Sequence, residues 1–418
     1  MCSALALASS ACSSSSDKSA PGGGGSGSGG QTGTSTDALQ LISWWTGPGE
    51  AEALQALMDT YKTDNPGSKV NLDSSVTADN WRMILPAGID HSPWDAFQLA
   101  GADMPQFRID HPGDVLAVDD IWNEASLKKA AIPEILKSVQ GDDGSAYGVV
   151  TGVHRNNSFM FNKQIFDKYK LTAPTSVDEF LSDCATLKKA GVTPVATTFQ
   201  TWALRILFDE LLAGTLGASA FDDLVQGRTP PTDATMKAGI KSAIATFGTV
   251  LSDYVDPATN DQAKYGWTDA CDDVFNGKAA MLMHGDWDKG YMIHSGWTPG
   301  VDFGMSGPPG ADDLFVYGAD VFGLPATAPH PDLATKFLQV VASKDGQVAF
   351  NKYKGATPMR SDVRAQLDDT GKASLDALVN AKVLSGSHAN ADWDTAIGQF
   401  AMDGDQDAML AAYMAATP

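Results

Sequence analysis

Tryptophans at loop positions beside polar residues are the part of this sequence most suited to chemistry. Trp44 and Trp45 end a short apolar run, Trp267 precedes a helical segment, and Trp287 follows Gly285-Asp286 just past a strand-like run. Indole faces pack on the apolar C–H faces of sugar rings, while carboxylates, amides and cationic side chains hydrogen-bond hydroxyl groups. Tryptophan with Asp, Lys and His is therefore typical of carbohydrate chemistry. Because neighbouring strand side chains point to opposite faces, one of Trp44 and Trp45 is also suited to the core.

Sequence signatures of common enzymes and metal sites do not occur. The chain has no G-x-S-x-G, H-E-x-x-H, P-loop or strand-linked G-x-G-x-x-G motif. Asp403, Asp405 and Asp407 resemble the start of a calcium loop, but Ala408 and Met414 replace its turn glycine and bidentate glutamate. No catalytic residue, metal ligand or cofactor is therefore predicted. With 51 Asp and Glu, a glycosidase pair chosen from sequence alone has no specificity.

The hydrophobic pattern after residue 37 predicts an α/β protein that positions these side chains. Apolar runs predict strands, and apolar residues at helical spacing alternate with them. Ser176 with Glu179 has the spacing of a capping box at a helix start. The predicted strands cover 39–45, 69–76, 94–100, 192–198, 279–284 and 317–324, and the predicted helices cover 51–61, 177–187, 269–275, 333–342 and most of the chain after 373. Trp44 and Trp45 then lie at the carboxyl end of a strand, where open α/β sheets bind ligands.

Length and charge limit the remaining possibilities. The chain has 418 residues and a formal net charge of −22, which disfavours nucleic acid and anionic membrane surfaces as partners. No run of 18 apolar residues is present, so no transmembrane helix is predicted. About 380 residues after the linker are too many for one core, which predicts two domains. Because no linker interrupts residues 37–418, the chain is expected to cross between lobes several times around a hinged cleft.

Residues 1–36 differ from the rest and predict a leader with a tether. A short apolar piece and small residues lead to Cys12, and a Ser/Gly-rich stretch follows. This pattern predicts a lipoprotein signal with Cys12 as the lipid anchor, although Ser9 replaces the usual aliphatic residue. The alternative is a stray cysteine in a truncated leader. Of the body cysteines, Cys184 lies on an apolar stripe and is predicted to be a core residue, while a Cys184–Cys271 disulfide is left open.

Several motifs, in their order along the chain, resemble the substrate-binding proteins of bacterial ABC carbohydrate importers, most closely the glucose/galactose/mannose-binding members. The resemblance covers about residues 39 to 415. Its motifs are Ser43-Trp44-Trp45-Thr46 with Glu50, Asp95-Ala96-Phe97-Gln98, Val153-His154-Arg155-Asn156-Asn157, Phe275-Asn276-Gly277-Lys278-Ala279-Ala280-Met281, Gly285-Asp286-Trp287, Asp320 within Gly318–Pro325, and Lys354-Gly355-Ala356-Thr357-Pro358-Met359-Arg360.

The resemblance implies a two-lobed periplasmic-binding-protein fold of the type II kind, with a mixed sheet and flanking helices in each lobe. The lobes would close about a hinge on a ligand in the cleft between them. After the leader and linker of residues 1–36, the expected N-terminal lobe is 37–152 plus about 322–352. The expected C-terminal lobe is 153–321 plus about 353–418. The implied protein is a monomeric, non-enzymatic receptor on the periplasmic or extracellular face that delivers a monosaccharide to an ABC permease.

The resemblance also implies which side chains contact the sugar. Trp287 would stack on the ring, and Trp44 and Trp45 would wall the pocket. Six polar side chains would bond hydroxyl groups: Glu50, Gln98, Asn156, Asp320, Lys354 and His388. Trp267 joins them as a cleft-edge tryptophan from its position in the sequence.

Each polar residue of this set also has an ordinary structural interpretation. Asp320 and Lys354 could form a plain ion pair, Gln98 and Asn156 could be core amides, Glu50 could be a first-turn helix residue favoured by the helix dipole, and His388 could lie in a surface loop. His154 and Arg155 are expected to brace the crossover between lobes rather than to touch the sugar.

One position departs from the family pattern. Ala100 stands two residues beyond Gln98, where these relatives usually carry a His or Lys that reaches the sugar. The loss of this donor leaves open a larger sugar or a different epimer. Three hypotheses follow, in decreasing order of support: a monosaccharide receptor for glucose, galactose or mannose; a receptor for an oligosaccharide or polyol; and an exported glycoside-processing enzyme.

Overall fold

The computed structural model describes residues 38–416 apart from 78, 79, 125 and 389. The predicted leader, linker and Cys12 anchor lie outside these residues. The described strands are β1 Ala38–Ile42, β2 Lys69–Asp73, β3 Ala96–Ala100, β4 Val149–Arg155, β5 Ser158–Asn162, β6 Thr193–Val195, β7 Ala279–His284, β8 Phe303–Ser306, β9 Leu314–Gly323 and β10 Val383–Gly386.

Helices separate most of these strands in the chain. The described α-helices are α1 Glu50–Asp64, α2 Trp81–Gly88, α3 Met104–Asp110, α4 Asp119–Glu124, α5 Leu127–Ala130, α6 Pro133–Lys137, α7 Lys163–Tyr169, α8 Val177–Lys189, α9 Thr201–Leu216, α10 Ala218–Val225, α11 Ala234–Thr249, α12 Trp267–Phe275, α13 Trp287–His294, α14 Pro331–Ala342, α15 Lys344–Lys354, α16 Asp369–Asn380, α17 Ala391–Asp403 and α18 Gln406–Ala415. Short 3₁₀ turns lie at Ile89–His91, Gly101–Asp103, Pro257–Asn260 and Ser361–Gln366, and a π turn lies at Val250–Tyr254.

The strands form two mixed sheets. The first has the order β10-β9-β3-β1-β2, and β4 also pairs with β9. Strands β2 and β3 run parallel to β1, whereas β3 and β4 run antiparallel to β9. The second sheet has the order β6-β7-β5-β8, with β6 parallel to β7 and the other pairs antiparallel. The loop after β1 carries Trp44 and Trp45, the loop after β7 leads to Trp287, and Gln98 lies within β3.

Two large hydrophobic cores accompany the sheets. The first is built mainly from residues 39–153 and 315–359, and the second mainly from 159–316 and 393–416. Strand β9 contributes to both, because Leu314 belongs to the second core and Val321 to the first. The passage from β4 to β5 likewise joins Val153 in the first core to Phe159 in the second. The predicted lobe boundaries themselves remain a prediction.

Most of the predicted elements are present with shifted ends. The predicted strand 279–284 coincides with β7, whereas the predicted strand 39–45 ends at Ile42, so Trp44 and Trp45 lie in the loop after it. Ser176 caps α8 by accepting from the backbone N–H of Glu179, as the capping pattern predicts. Strands β4, β5, β8 and β10 were not predicted from periodicity.

The body cysteines are both buried and unbonded. Cys184 packs in the second core on α8, as predicted, and Cys271 lies on α12. Burial raises the pKa of both thiols above the ordinary value. In the described part of the chain, none of the helices combines the length and apolar character needed to cross a membrane.

Candidate ligand-binding site

The loop between β1 and α1 holds the two adjacent tryptophans in different environments. Trp45 is 1% exposed and packs between Phe322 and Phe350, with ring centroids 5.7 and 4.9 Å away. Trp44 is partly buried and stacks on Trp81 at 6.2 Å. Of the two predicted wall residues, Trp45 is therefore a core residue in this conformation, and only Trp44 presents part of its ring to solvent.

Gln98 holds this loop in place. Its side chain is buried, and Oε1 accepts from Ser43 Oγ at 2.6 Å and from the backbone N–H of Trp44 at 3.1 Å. The Nε2 group has no hydrogen-bond partner among the described residues. The contacts of Oε1 agree with the core-amide interpretation, in which Gln98 positions Trp44.

Glu50, Lys354 and Asp320 form a row of alternating charges. Glu50 begins α1, Lys354 ends α15, and Asp320 lies within β9. Lys354 Nζ donates to Glu50 Oε1 at 2.8 Å and lies 3.8 Å from Asp320 Oδ2. The ammonium also lies 5.6 Å from the ring centroid of Trp45. Because Lys354 is buried, it needs these two carboxylates to offset the loss of hydration.

His154 on β4 extends this row to the second sheet. Its Nδ1 lies 2.5 Å from Asp286 Oδ1, and its Nε2 lies 3.0 Å from Asp320 Oδ2. Ionised carboxylates only accept hydrogen bonds, so both ring nitrogens must donate and the ring is an imidazolium. Asp286, His154, Asp320, Lys354 and Glu50 thus alternate in sign, and we call these five residues the charge row.

Neighbouring charges decide the direction of the pKa shifts in the charge row. Burial and Lys354 act to lower the pKa of His154, but Asp286 and Asp320 outweigh them and raise it above the ordinary value. Burial acts to raise the pKa of Asp320, but Lys354 and His154 hold it below the ordinary value. Burial acts to lower the pKa of Lys354, but Glu50 and Asp320 raise it. The neighbouring opposite charges therefore favour the charged form of all three groups.

Trp287 begins α13 beside the charge row. Its ring meets the ring of His154 edge-on at 5.5 Å and lies 6.0 Å from the ring of Trp202. A Cβ atom at Gly285 would lie 2.0 Å from the indole, so only glycine allows the ring to cover the backbone there. Trp202, in the first turn of α9, is 38% exposed. The two indoles form an aromatic surface next to His154.

His388 lies in a second charged cluster. Its ring contacts Arg205, lies 3.8 Å from Asp209, and packs edge-on against Trp393. Arg205 also donates to Asp209 and, at 2.7 Å, to Asp394. The side chain of His388 is 12% exposed, so the surface-loop interpretation is wrong. Burial, together with Arg205, lowers the pKa of His388 well below its ordinary value, which keeps the ring neutral.

The remaining predicted residues, Asn156 and Trp267, lie at the margins of the charge row and of the aromatic surface of Trp287 and Trp202. Asn156 follows β4, and its side chain covers Gly318, two residues before Asp320 on β9. Trp267 meets Tyr291 of α13 at 5.5 Å and lines a small cavity with His284, whose ring lies 4.9 Å from that of Trp287.

The structure thus brings four predicted residues into one network: Glu50, Lys354, Asp320 and, through His154, Trp287. His388 belongs to the separate Arg205 cluster, although Arg205 and Trp202 lie one turn apart on α9. Sequence analysis missed Trp202, Trp81 and Arg205. Each lies within or beside an apolar helical segment, where a sequence pattern does not separate site residues from core residues. Asp286 was named only as part of a motif.

A family model described as bacterial extracellular solute-binding protein matches residues 45–348. An uncharacterized ABC transporter extracellular-binding protein of Pyrococcus horikoshii is 32% identical over 335 residues, which is 78% of this chain and 73% of the relative. A probable sugar-binding periplasmic protein of Mesorhizobium japonicum is 30% identical over 359 residues, covering 82% of this chain and 81% of the relative.

Solved structures share the fold at lower identity. The bacterial solute receptor AcbH, described as having an exclusive preference for β-D-galactopyranose, superposes with a TM-score of 0.75 at 18% identity, covering 91% of this chain and 97% of the receptor. A chitin oligosaccharide binding protein superposes with a TM-score of 0.74 at 20% identity, covering 90% and 97%. At such identities the likeness concerns the fold alone. The expected two-lobed periplasmic-binding-protein fold, with two mixed sheets and flanking helices, is confirmed.

Proposed function

Because the chain belongs to the bacterial extracellular solute-binding protein family, we propose that it captures a monosaccharide and delivers it to an ABC permease. Glucose is the first candidate, with galactose and mannose as alternatives. The receptor acts as a monomer on the periplasmic or extracellular face, tethered by a lipid on Cys12, and it catalyses no reaction. Its lobes are 37–152 plus about 322–352 and 153–321 plus about 353–418.

The charge row carries this proposal. It places carboxylate acceptors and an ammonium donor between the Trp44 loop of the first sheet and Trp287 beside the second. Such groups are rigid because each is held by another charge, and rigid donors and acceptors favour a ligand with hydroxyl groups at fixed angles. The aromatic surface of Trp287 and Trp202 supplies an apolar face for the ring.

Each candidate residue has a specific role in this proposal. Trp287 stacks on the sugar, Trp44 closes the opposite side, and Asp320, Glu50 and Lys354 bond hydroxyl groups. Asn156 adds a further amide, and His388 donates from the α9 side. Gln98 acts indirectly, because it holds the backbone of Trp44 in place. Trp45 also acts indirectly, because its ring packs beneath Lys354. Trp267 supports the α13 side.

One observation favours a larger ligand as the second candidate. Ala100 lies directly opposite Asp320 in the ladder between β3 and β9. A long donor at this position would cross the site, whereas the methyl group leaves room beside Asp320. An oligosaccharide or a polyol fits the same fold with this wider pocket.

Calorimetric titration of residues 37–418 tests the proposal, using glucose, galactose, mannose, xylose and maltose. Saturable binding of one hexose with no released product is expected. Trp287→Ala should weaken binding by about 1.5–3 kcal/mol, or at least tenfold. The matched control is Trp297→Ala, because Trp297 packs on Phe275 and Phe303 away from the charge row and its loss should leave affinity unchanged.

The other outcomes separate the alternatives. Binding of maltose without any monosaccharide would replace the monosaccharide proposal with the oligosaccharide one. Cleavage of maltose would contradict the receptor function. Equal losses of sugar affinity in Trp287→Ala and Trp297→Ala would mean that the sugar does not bind against Trp287.

A further inference from the structure

A groove of about 940 Å³ lies beside the charge row and shares Asp286 with it. It is bounded by β8, the start of β9 and α16. Trp44, Trp287, Asp320 and Lys354 do not line it, so it is separate from the proposed sugar site. Its walls include the aromatic side chains of Phe161, Phe303 and Phe315.

Hydrogen-bond donors in this groove lack acceptors. Lys289 is 3% exposed, and within the described chain its Nζ makes a single hydrogen bond, to Ser374 Oγ at 2.7 Å. An ammonium has three N–H groups, so two remain unused. Arg155 Nε and Thr357 Oγ1 are also buried without a hydrogen-bond partner among the residues described. Buried donors of this kind carry the full cost of lost hydration.

The carboxylates of the groove, in contrast, are already engaged. Their partners are His154 for Asp286 at 2.5 Å, the backbone N–H of Gly307 for Asp312 at 2.6 Å, Lys382 for Asp313 at 3.4 Å and Lys372 for Asp369 at 3.2 Å. Among the described residues, the groove therefore lacks hydrogen-bond acceptors for its buried donors.

The electrostatic balance of buried Lys289 and partly buried Arg155 agrees with this lack of acceptors. Burial lowers the pKa of Lys289 below its ordinary value, although Asp286 and Asp368 act to raise it. Burial also lowers the pKa of Arg155 despite Asp312, Glu210 and Asp286. The protein's own carboxylates therefore do not fully compensate either cation.

We propose that this groove is a second binding site, specific for a small organic anion with a carboxylate or phosphate group, and that Lys289 anchors it. The anionic oxygens accept charge-assisted hydrogen bonds from Lys289, Arg155 and Thr357. The aromatic walls hold the organic part of the ligand. Because the groove shares only Asp286 with the charge row and is not lined by the proposed sugar contacts Trp287 and Lys354, the anion binds together with a sugar and not in its place.

Titration of the purified full chain at low ionic strength tests this site with three probes: inorganic phosphate, succinate and glycerol 3-phosphate. Saturable binding of one anion per chain is expected. The order of the three affinities distinguishes a carboxylate site from a phosphate site and shows whether the organic part contributes. Repeating the titration with saturating sugar should leave the anion affinity within the same order of magnitude.

Three variants separate a built site from nonspecific attraction. Lys289→Met should raise the anion Kd by about tenfold to a hundredfold, since it removes charge-assisted hydrogen bonds. Lys382→Met is the matched control, because Lys382 lines the rim with its side chain 78% exposed, and its loss should change the Kd less than threefold. Ser374→Asp places a carboxylate at Lys289 Nζ, which should abolish anion binding and raise the Tm.

Specific results would overturn the proposal. These are the lack of saturation by any of the three anions, equal Kd values for Lys289→Met and Lys382→Met, and displacement of the anion by sugar. If Lys289→Met does not fold, Ser374→Asp and Thr357→Val decide, and unchanged anion binding in both would contradict the site. Failure of hexose binding would leave the anion result independent, since the two titrations use different ligands.

Discussion

The charge of Lys354 is compensated by the carboxylates of Glu50 and Asp320, and their charges are compensated by Lys354. Replacing it with methionine keeps much of the side-chain volume but leaves Glu50 and Asp320 without their cation. Removing one partner of a buried ionic network leaves an uncompensated charge, which costs about 3–5 kcal/mol. We expect Lys354→Met to lower the free energy of unfolding by that amount in urea titrations and to abolish sugar binding.

The control for Lys354→Met is a lysine in an exposed ion pair. Lys278 lies 2.9 Å from Asp273, and its side chain is exposed. Exposed pairs contribute about 0–1 kcal/mol, so Lys278→Met should change stability little and leave sugar binding intact. A similar loss in both variants would mean that Lys354 is not held by buried charges.

His154 makes the folded protein less stable as the pH rises. Its pKa is raised above 6.5 in the folded protein, so its contribution is fully present below that pH and is lost as the pH rises through the folded pKa. Asp320 acts in the opposite direction. Its folded pKa is below 3.8, so its contribution is present above that pH and is lost as the pH falls through the folded value.

The measurement is the free energy of unfolding across the pH range for the wild type and for His154→Gln. The wild type should lose stability on the alkaline side, whereas His154→Gln, which cannot titrate, should lack that part of the slope. A matched control is His91→Gln, because His91 is almost fully exposed beside Asp90. If the alkaline slope persists in His154→Gln, another group is responsible.

Side-chain environment limits what the sequence can predict at this scale. Motif identity selected Glu50, Asp320 and Lys354, which the structure brings together. It could not show that Trp45 is buried while Trp44 is partly exposed, because this depends on where β1 ends. The sequence expectation for His388 left a surface position open, because nothing near it in the chain signals Arg205, which is 183 residues away.

At the scale of elements, α13 and α15 approach each other through glycine. A Cβ atom at Gly290 would lie 2.7 Å from the backbone oxygen of Lys354 and 2.8 Å from that of Tyr353. These are backbone atoms and cannot turn aside as a side chain would. This contact sets the distance between Trp287, at the start of α13, and Lys354, at the end of α15.

Gly290→Ala should therefore separate the two helices. Overpacking of this kind costs about 1–3 kcal/mol, and it should also weaken sugar binding because it displaces Trp287 from the charge row. Gly398→Ala in α17 is the matched control, since its nearest neighbour would be Thr201 Oγ1 at 3.4 Å. Better helix propensity should make that variant up to about 1 kcal/mol more stable. Thermal unfolding and calorimetry measure both effects, and equal responses would contradict the close-contact argument.

Elements with a clear local apolar pattern were predicted from the sequence. Strands that are defined by pairing with distant segments were not. Helix α1 was predicted because its apolar residues follow the helical period, and strand β7 because it is an unbroken apolar run. Strands β4 and β5 were missed because they form one continuous passage, Val149–Asn162, that contributes to both cores. Only pairing with β9 and β7, more than 100 residues later, defines them as two strands.

At the scale of the whole molecule, the proposed sugar site lies against elements of both cores. Trp45 packs in the first core, while Trp202 and Trp287 lie beside helices and strands of the second. His154 connects the two through Asp320 and Asp286. A sugar that contacts both sides should therefore stabilise both cores, although they have separate hydrophobic interiors.

Hydrogen exchange with and without saturating hexose measures this coupling. A ligand at one hundred times its Kd stabilises the folded state by about 2.7 kcal/mol, which slows exchange through ligand-linked opening about a hundredfold. Peptides from α1 in the first core and from α9 in the second should both gain protection, because either core must release the sugar before it opens. The same experiment in Trp287→Ala should show little gain in either. Protection confined to one core would mean that the sugar lies within a single lobe, and closure of two lobes on the ligand would then be wrong.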